Sequence, residues 1–304
     1  MTRRYDAVIF DLDGTLIDSA EAITLIAARF LAEQDAPPLT IDEARSFVGN
    51  GGDVFARRML RARGLEAEGA VGEAHVRRFF EVYAAAPGSE NPAYPGAEAM
   101  LDSLTDLALG MCTNKPYRPT LNVLEALRWQ DRFGSVVAGD TLAVKKPDPE
   151  PLLHTARELG VPMERVLFVG DSEVDTETAL AAGVDRVVYA SSSSVYGTNA
   201  SPGRRRVTAP ISPSGVSKLA GEHLAGVYRA RGLGVTTLRY FTVYGPRQRP
   251  DMAMHRLFRA AMPDGPTFVL RGDGRQRREF THVDDVVRAT EAAGWRPEAA
   301  EATI

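Results

Sequence analysis

Residues 6–16 read DAVIFDLDGTL: four apolar residues, Ala7, Val8, Ile9 and Phe10, run straight into Asp11, Asp13 and an Asp-Gly turn. A short apolar run closed by a turn signal reads as a strand buried on both faces, the kind that sits inside a parallel sheet. Ligands of open α/β sheets lie at the carboxyl ends of the strands, which makes Asp11 and Asp13 candidate site residues. Two carboxylates there repel unless a cation joins them or one takes a proton. Mg2+ suits a site with few carboxylates and several waters. A carboxylate can also act as a covalent nucleophile.

Beyond this stretch, short apolar runs alternate with helical patterns. Strands are expected at 6–10, 107–112, 135–137, 166–169 and 186–190, which predicts an α/β fold with a parallel sheet. The stretch between the first two strands is far too long for a connecting loop. Its apolar spacing predicts helices at 20–34, 41–48, 54–62 and 74–86, divided by breaks such as Ala36-Pro37-Pro38. A helical bundle inserted there makes a lid over the first strand's carboxyl end.

Three more strand ends carry polar groups. Thr113-Asn114-Lys115 offers a hydroxyl, an amide and a cation to phosphate oxygens. Lys145-Lys146-Pro147-Asp148-Pro149 places lysines before prolines that keep the backbone extended. The chain has four lysines beside 32 arginines, and three of the four fall in these two segments, which argues against random surface placement. Gly170-Asp171-Ser172 ends the strand VLFV, and Asp175 follows Asp171 by one helical turn, so that the two share a face.

The 304 residues leave room for about two domains and for a sizeable core without staples. With 44% hydrophobic and 25% charged residues the composition is that of a globular chain, which excludes a disordered tail, a collagen-like repeat or a coiled-coil rod. No apolar run of about 18 residues is present, so no membrane partner is expected. The opening MTRRYDAVIF turns acidic at once, unlike a secretory signal. The single cysteine, Cys112, fits a reducing compartment, and a cytoplasmic location is expected. Residues 1–184 carry 18 basic against 29 acidic side chains (net −11), and residues 185–304 carry 18 against 11 (net +7). The basic half has no like-charge block longer than Arg204-Arg205-Arg206 and no nucleic-acid-binding signature, so no nucleic-acid partner is expected. The five histidines show no metal-ligand spacing.

The segments FDLDGTLIDS, TNKP, KKPDPEPL and GDSEVDTETALAAG resemble, in order and spacing, the four motifs of the haloacid dehalogenase superfamily. SFVGNGGDVFARRML and YPGAEAMLDSL are similar to its phosphoglycolate-phosphatase-like subgroup, over about residues 4–184. The resemblance implies a Rossmann-like parallel-sheet core at 1–19 and 93–190 with a helical cap at 20–92. It implies a Mg2+-dependent phosphatase acting on a small-molecule phosphate ester. In this reading Asp11 attacks phosphorus to form an aspartyl-phosphate, and Asp13 protonates the leaving oxygen and then activates water. Thr113 and Lys146 hold the phosphoryl oxygens. Asp11, the Asp13 backbone carbonyl, Asp171 and Asp175 hold the ion. Gly14, Thr15 and Asn114 line the phosphate site, and the cap (49–52, Arg57, Arg58) selects the leaving group, Arg57 suiting a carboxylate such as that of 2-phosphoglycolate.

Past residue 190 the chain changes character. SSSSVYG, SPSGVSKLAGEHL, LRYFTVYGPRQRPDMA and GDGRQRREFTHVDDVVRAT resemble the middle and carboxyl segments of the extended short-chain dehydrogenases, the nucleotide-sugar epimerase/dehydratase group, over about residues 186–290. That family needs a Ser/Thr and a Tyr-x-x-x-Lys pair. Ser192 and Lys218 match, but the tyrosine position is Ser214, whose alkanol hydroxyl is too weak a base. The glycine-rich turn that cradles NAD has no counterpart after any expected strand. Arg247, Arg249 and Arg278 match positions associated with the sugar-nucleotide diphosphate. Residues 191–304 therefore read as an incomplete α/β epimerase-like segment. Residues 186–190 are expected to serve as fifth strand of the phosphatase sheet, while LRYF and TFVL are left without a partner sheet, and the second half is expected to pack loosely. The competing readings are an NAD-dependent epimerase or dehydratase, and a binding module whose basic tail captures an acidic partner.

Overall fold

The structure is a computed structural model, and it describes residues 5–48, 51–184, 186–197, 207–246, 248, 252–269, 279–295 and 302–304. The chain divides into two units, residues 1–184 and 185–304. The first unit runs β1 (Ala7–Phe10), α1 (Ala20–Ala32), α2 (Ile41–Phe47), α3 (Gly52–Ala62), α4 (Gly69–Ala85), α5 (Ala97–Ser103), β2 (Ala108–Cys112), α6 (Tyr117–Ala126), β3 (Ser135–Val137), α7 (Glu150–Glu158), β4 (Val166–Val169) and α8 (Glu173–Ala181). Its sheet is parallel, in the order β3-β2-β1-β4, so the strand that carries Asp11 is central.

Side chains alternate across a strand, and β1 divides its apolar run between two interiors. Val8 and Phe10 join Leu109, Met111, Val123, Leu124 and Trp129 in one cluster. Ala7 and Ile9 join Cys112, Leu152, Ala156 and Val166 in the other. A strand buried on both faces has no polar side to present to water, and the sequence accordingly gives it none. Phe10 pairs in register with Met111 and Val169, which puts the residues after all three strands at one end of the sheet.

The insertion forms a four-helix cap with its own apolar interior, built from Ile26, Phe30, Phe55, Met59, Leu60 and Phe79 among others. Its second helix opens on a capping box, in which the Thr40 hydroxyl accepts from the Glu43 N–H and the Glu43 carboxylate accepts from the Thr40 N–H. The chain leaves and re-enters the core through two segments that pair: Ile17 bridges Ala93, the Asp18 N–H donates to the Pro92 carbonyl and the Tyr94 N–H to that of Leu16.

The second unit contains β5 (Arg186–Ser192), α9 (Pro213–Arg229), β6 (Gly234–Tyr240), β7 (Thr242–Tyr244), α10 (Ala253–Ala260), β8 (Phe280–His282) and α11 (Val283–Trp295). Here the structure corrects the sequence reading. Residues 186–192 do not extend the phosphatase sheet; they pair in parallel with β6, from Arg186 opposite Gly234 to Ser192 opposite Tyr240. Leu238, Arg239 and Tyr240 of LRYF thus have a partner strand after all. VDRVVYA is apolar enough for either sheet, so the choice lay in long-range pairing that local sequence does not carry. Of TFVL, Thr267, Phe268 and Val269 lie outside any strand, and the fourth residue is outside the described ones. Among the described residues of this unit, buried apolar side chains are few, Val195, Ala225, Val235, Leu238 and Ala293, whereas Val207, Ile211, Phe258, Met262 and Val269 are exposed. Among the described residues, no helix is long and apolar enough to cross a membrane.

Candidate active site

The site forms where β1, β2 and β4 end. Asp11, Asp171 and Asp175 each contribute a carboxylate oxygen to a group whose atoms all lie within 4.8 Å of one another. Asp11 and Asp175 are buried, and Asp171 is exposed. Two glycines make the approach possible. A Cβ on Gly14, which has φ of +84°, would sit 2.4 Å from Asp171 Oδ2, and one on Gly170 would sit 2.4 Å from the Asp175 carboxyl carbon. Thr15 Oγ1 donates to Asp171 Oδ1 at 3.0 Å and fixes that carboxylate from the turn after β1. Asp175 is also the third residue of α8, and its Oδ2 accepts from the Ser172 N–H (3.0 Å) and hydroxyl in a second capping box.

Lys146 sets the charge of this corner. Its Nζ lies 2.6 Å from Asp175 Oδ1 and 3.0 Å from Asp11 Oδ1. The second contact is an ion pair but is too far off line for a hydrogen bond, so Asp11 Oδ1 is a buried oxygen with no donor. Burial works against the Lys146 ammonium, yet Asp11 and Asp175 outweigh it and hold the lysine above its usual range. Burial pushes the Asp11 carboxyl up to about 6; Lys146 opposes this, while Asp175 and Asp13 add to it. Asp171 is also raised, chiefly because neighbouring protein strips water from its carboxyl group, although the residue as a whole is exposed. One ammonium does not neutralise three carboxylates, and the orphaned Asp11 oxygen beside Asp171 and Asp175 is the donor set that a hard cation fits. The cluster could hold a metal ion.

Thr113 and Asn114 follow β2 and are buried. Thr113 Oγ1 accepts from the Lys115 N–H at 3.2 Å. Asn114 is not turned to a ligand by its amide nitrogen, which donates to the Lys146 carbonyl at 2.9 Å and braces the lysine loop. Lys115, read from sequence as a phosphate cation, instead ion-pairs with Asp13 at 2.9 Å and donates to the phenol oxygen of Tyr83 at 2.9 Å. Tyr83 comes from cap helix α4 and was not singled out in the sequence, because Phe79 and Tyr83 at helical spacing read as one apolar stripe. Arg57 requires a correction. Its guanidinium is taken up inside the cap by Asp53 (3.0 Å), Glu73 (2.6 Å), Glu68 (3.3 Å) and the Ala67 carbonyl, so it is a strut of the cap and is not presented to a substrate carboxylate. Gly49 and Asn50 lie outside the described residues.

A family model for haloacid dehalogenase-like hydrolases matches residues 5–183. The chain belongs to that family. It is 43% identical over 188 residues to the phosphoglycolate phosphatase of Rhodospirillum rubrum, covering 60% of this chain and 78% of the relative. The corresponding protein of Cereibacter sphaeroides is 44% identical over 179 residues, covering 58% and 81%. Among solved structures, that of a predicted phosphoglycolate phosphatase from Haemophilus somnus superposes with a TM-score of 0.56 at 26% identity, over 62% of this chain and 87% of that one. The haloacid dehalogenase-like unit is a phosphatase. A second family model, for the NAD dependent epimerase/dehydratase family, matches residues 176–303, so the chain is a fusion.

The epimerase-like positions are occupied by other work. Ser192 Oγ accepts from the Ser194 N–H (3.1 Å) and hydroxyl (2.9 Å), closing a short turn. Lys218 Nζ donates to the Ala190 carbonyl at 2.8 Å, and Ser214 is exposed on the first turn of α9. No phenol stands at Ser214 for the lysine to activate. Arg247, Arg249 and Arg278 lie outside the described residues.

Proposed function

We propose that the first unit is a Mg2+-dependent phosphomonoesterase that works through an aspartyl-phosphate on a small phosphorylated carboxylate such as 2-phosphoglycolate. The observation that carries this reading is the Asp11 carboxylate: buried, without a donor on Oδ1, and set beside Asp171, Asp175 and the Lys146 ammonium. Asp11, the Asp13 backbone carbonyl, Asp171 and Asp175 would hold the ion. When bound, it supplies positive charge against the phosphoryl oxygens and the three carboxylates.

The chain's own residues do the rest. An oxygen of Asp11 attacks phosphorus as the bond to the leaving oxygen breaks. Asp13 gives its proton to that oxygen and afterwards takes one from the water that hydrolyses the aspartyl-phosphate, as general acid and then general base. The Thr113 hydroxyl and Lys146 hold phosphoryl oxygens in place, in a reaction where positioning and pre-set charge supply most of the rate. The phosphoglycolate phosphatases at 43–44% identity support the substrate class.

The test is a substrate panel with Mg2+ on the full chain, including 2-phosphoglycolate and p-nitrophenyl phosphate, with hydroxylamine trapping of the acyl phosphate. The wild type hydrolyses both and yields a trapped adduct at Asp11. Asp11→Asn loses activity by about 10⁴-fold or more, as removal of a nucleophile does. Full activity in that variant would overturn the assignment.

A further inference from the structure

Lys115 is a costly residue where it stands. Its side chain is 1% exposed, and a buried ammonium is unfavourable unless its partners are well placed. A packing role would be filled by an apolar residue. A chain that uses arginine for nearly all its cations has kept a lysine here, a compact ammonium with three donors in place of a wide planar fork. Two partners are assigned. Asp13 Oδ1 follows β1 of the core, and the Tyr83 phenol belongs to the fourth cap helix, where its ring packs on Phe79 at 5.8 Å between centroids. Three elements distant in sequence thus meet at one nitrogen: the turn after β1, the end of β2, and the cap.

We propose that Lys115, held by Tyr83 of the cap, is a positioning residue that aims the Asp13 carboxyl at the leaving-group oxygen, so that proton delivery depends on the cap being in place. The inference rests on the assignment of Asp13 as general acid. In the step concerned, the bond between phosphorus and the leaving oxygen breaks as the Asp11–phosphorus bond forms. The Asp13 proton passes to the departing oxygen, and the negative charge left on Asp13 falls beside the Lys115 ammonium. With Oδ1 tied to Lys115, Oδ2 is the oxygen that carries the proton. Tyr83 contributes no atom to the reaction. It fixes where Lys115 sits, and a cap displaced from the core takes that support with it.

Leaving groups of different basicity separate this role from a merely structural one. An alkoxide needs a proton to depart, whereas p-nitrophenolate departs without one near neutral pH. The experiment is single-turnover release of glycolate from 2-phosphoglycolate and of p-nitrophenol from p-nitrophenyl phosphate, with the full chain in excess and Mg2+ present. Tyr83→Phe slows glycolate release about tenfold and p-nitrophenol release less than about twofold; Lys115→Met slows them by about 10²-fold and a few-fold, within the usual range for a general acid. Circular dichroism melting verifies that each variant is folded, and Tyr83→Phe, which removes one oxygen, keeps the test open should Lys115→Met unfold. Equal slowing of both substrates, or slowing of neither, in Tyr83→Phe overturns the proposal. Asp13→Asn, measured alongside, separates the two levels. If it too fails to favour p-nitrophenol, the acid assignment falls; if it shows the preference and Tyr83→Phe does not, only the coupling to the cap falls.

Discussion

Replacing Lys146 with methionine keeps most of the side chain's volume and removes the one ammonium that faces both Asp11 and Asp175. At separations of 3.0 and 2.6 Å, each pair is worth about 6 kcal/mol of attraction at an effective dielectric of roughly 20. Desolvation of the buried charges offsets much of this, and deleting one partner of a buried pair costs about 3–5 kcal/mol in practice. The metal-free variant is therefore expected to lose that much near neutral pH. Because the chain has two units, a single unfolding midpoint is ill-defined. Hydrogen exchange of the β1 amides, read in EDTA, reports the first unit alone, and their protection should fall by about 10²–10⁴-fold. The sign of the pH effect follows from Asp11. Its folded pKa is raised to about 6, so the folded state takes up a proton as pH falls through the window between the ordinary carboxylate range and about 6, and is stabilised relative to the unfolded chain. Neutralising a carboxylate removes part of the repulsion that Lys146 had been offsetting, so the variant's deficit should shrink on going to about pH 5. A loss below about 1 kcal/mol near neutrality, or an equal loss at both pH values, would refute the reasoning.

Other consequences can be measured separately. Mg2+ should bind the full chain more tightly as pH rises through about 6, because it competes with the proton on Asp11, and calorimetry in two buffers should show proton release. Gly14→Ala places a Cβ 2.4 Å from Asp171 Oδ2 on a left-handed backbone; displacing that carboxylate should cut kcat on p-nitrophenyl phosphate by about 10²-fold without changing any charge. Arg57→Ala removes a strut bonded to Asp53, Glu68 and Glu73, so hydrogen-exchange protection of the cap helices should fall while KM for 2-phosphoglycolate stays within about twofold.

The sheet was legible because its strands are short apolar runs, each closed by the polar residues that build the site. Strands at 135–137 and 166–169 begin and end where the sequence places them, and β1 and β2 start one residue later. The cap helices were legible by spacing, except that α4 starts at Gly69 and not at 74, since Gly69 and Gly72 mask a helical turn. Gly72 is needed there: a Cβ on it would meet the Ala67 backbone at 2.3 Å. What sequence withheld was partnership. Asp53, one helical turn before Arg57, is a local signal for one of its partners, but nothing local tells that Glu68 and Glu73 will also claim it, nor does TNK show that Lys115 reaches a carboxylate 102 positions earlier. The fate of residues 186–192 likewise depended on a strand, β6, that begins at Gly234.

The cap's apolar interior shares no residue with the two clusters of the core. Polar ties join the last cap helix to the core: Lys115 Nζ donates to the Tyr83 phenol oxygen at 2.9 Å, and Asn122 Nδ2 to the carbonyls of Ala84 and Ala86 at 3.0 and 3.1 Å. Such bonds have water as a ready substitute and a net worth of about 1 kcal/mol each. Breaking those ties would leave the cap's own apolar interior covered. Under the roles proposed for Tyr83, Lys115 and Asp13, a cap parted from the core would leave the general acid unaimed. Abundant phosphate esters too large to let the lid latch would then dock and leave intact, turned away by hinge mechanics and not by any pocket wall that repels them.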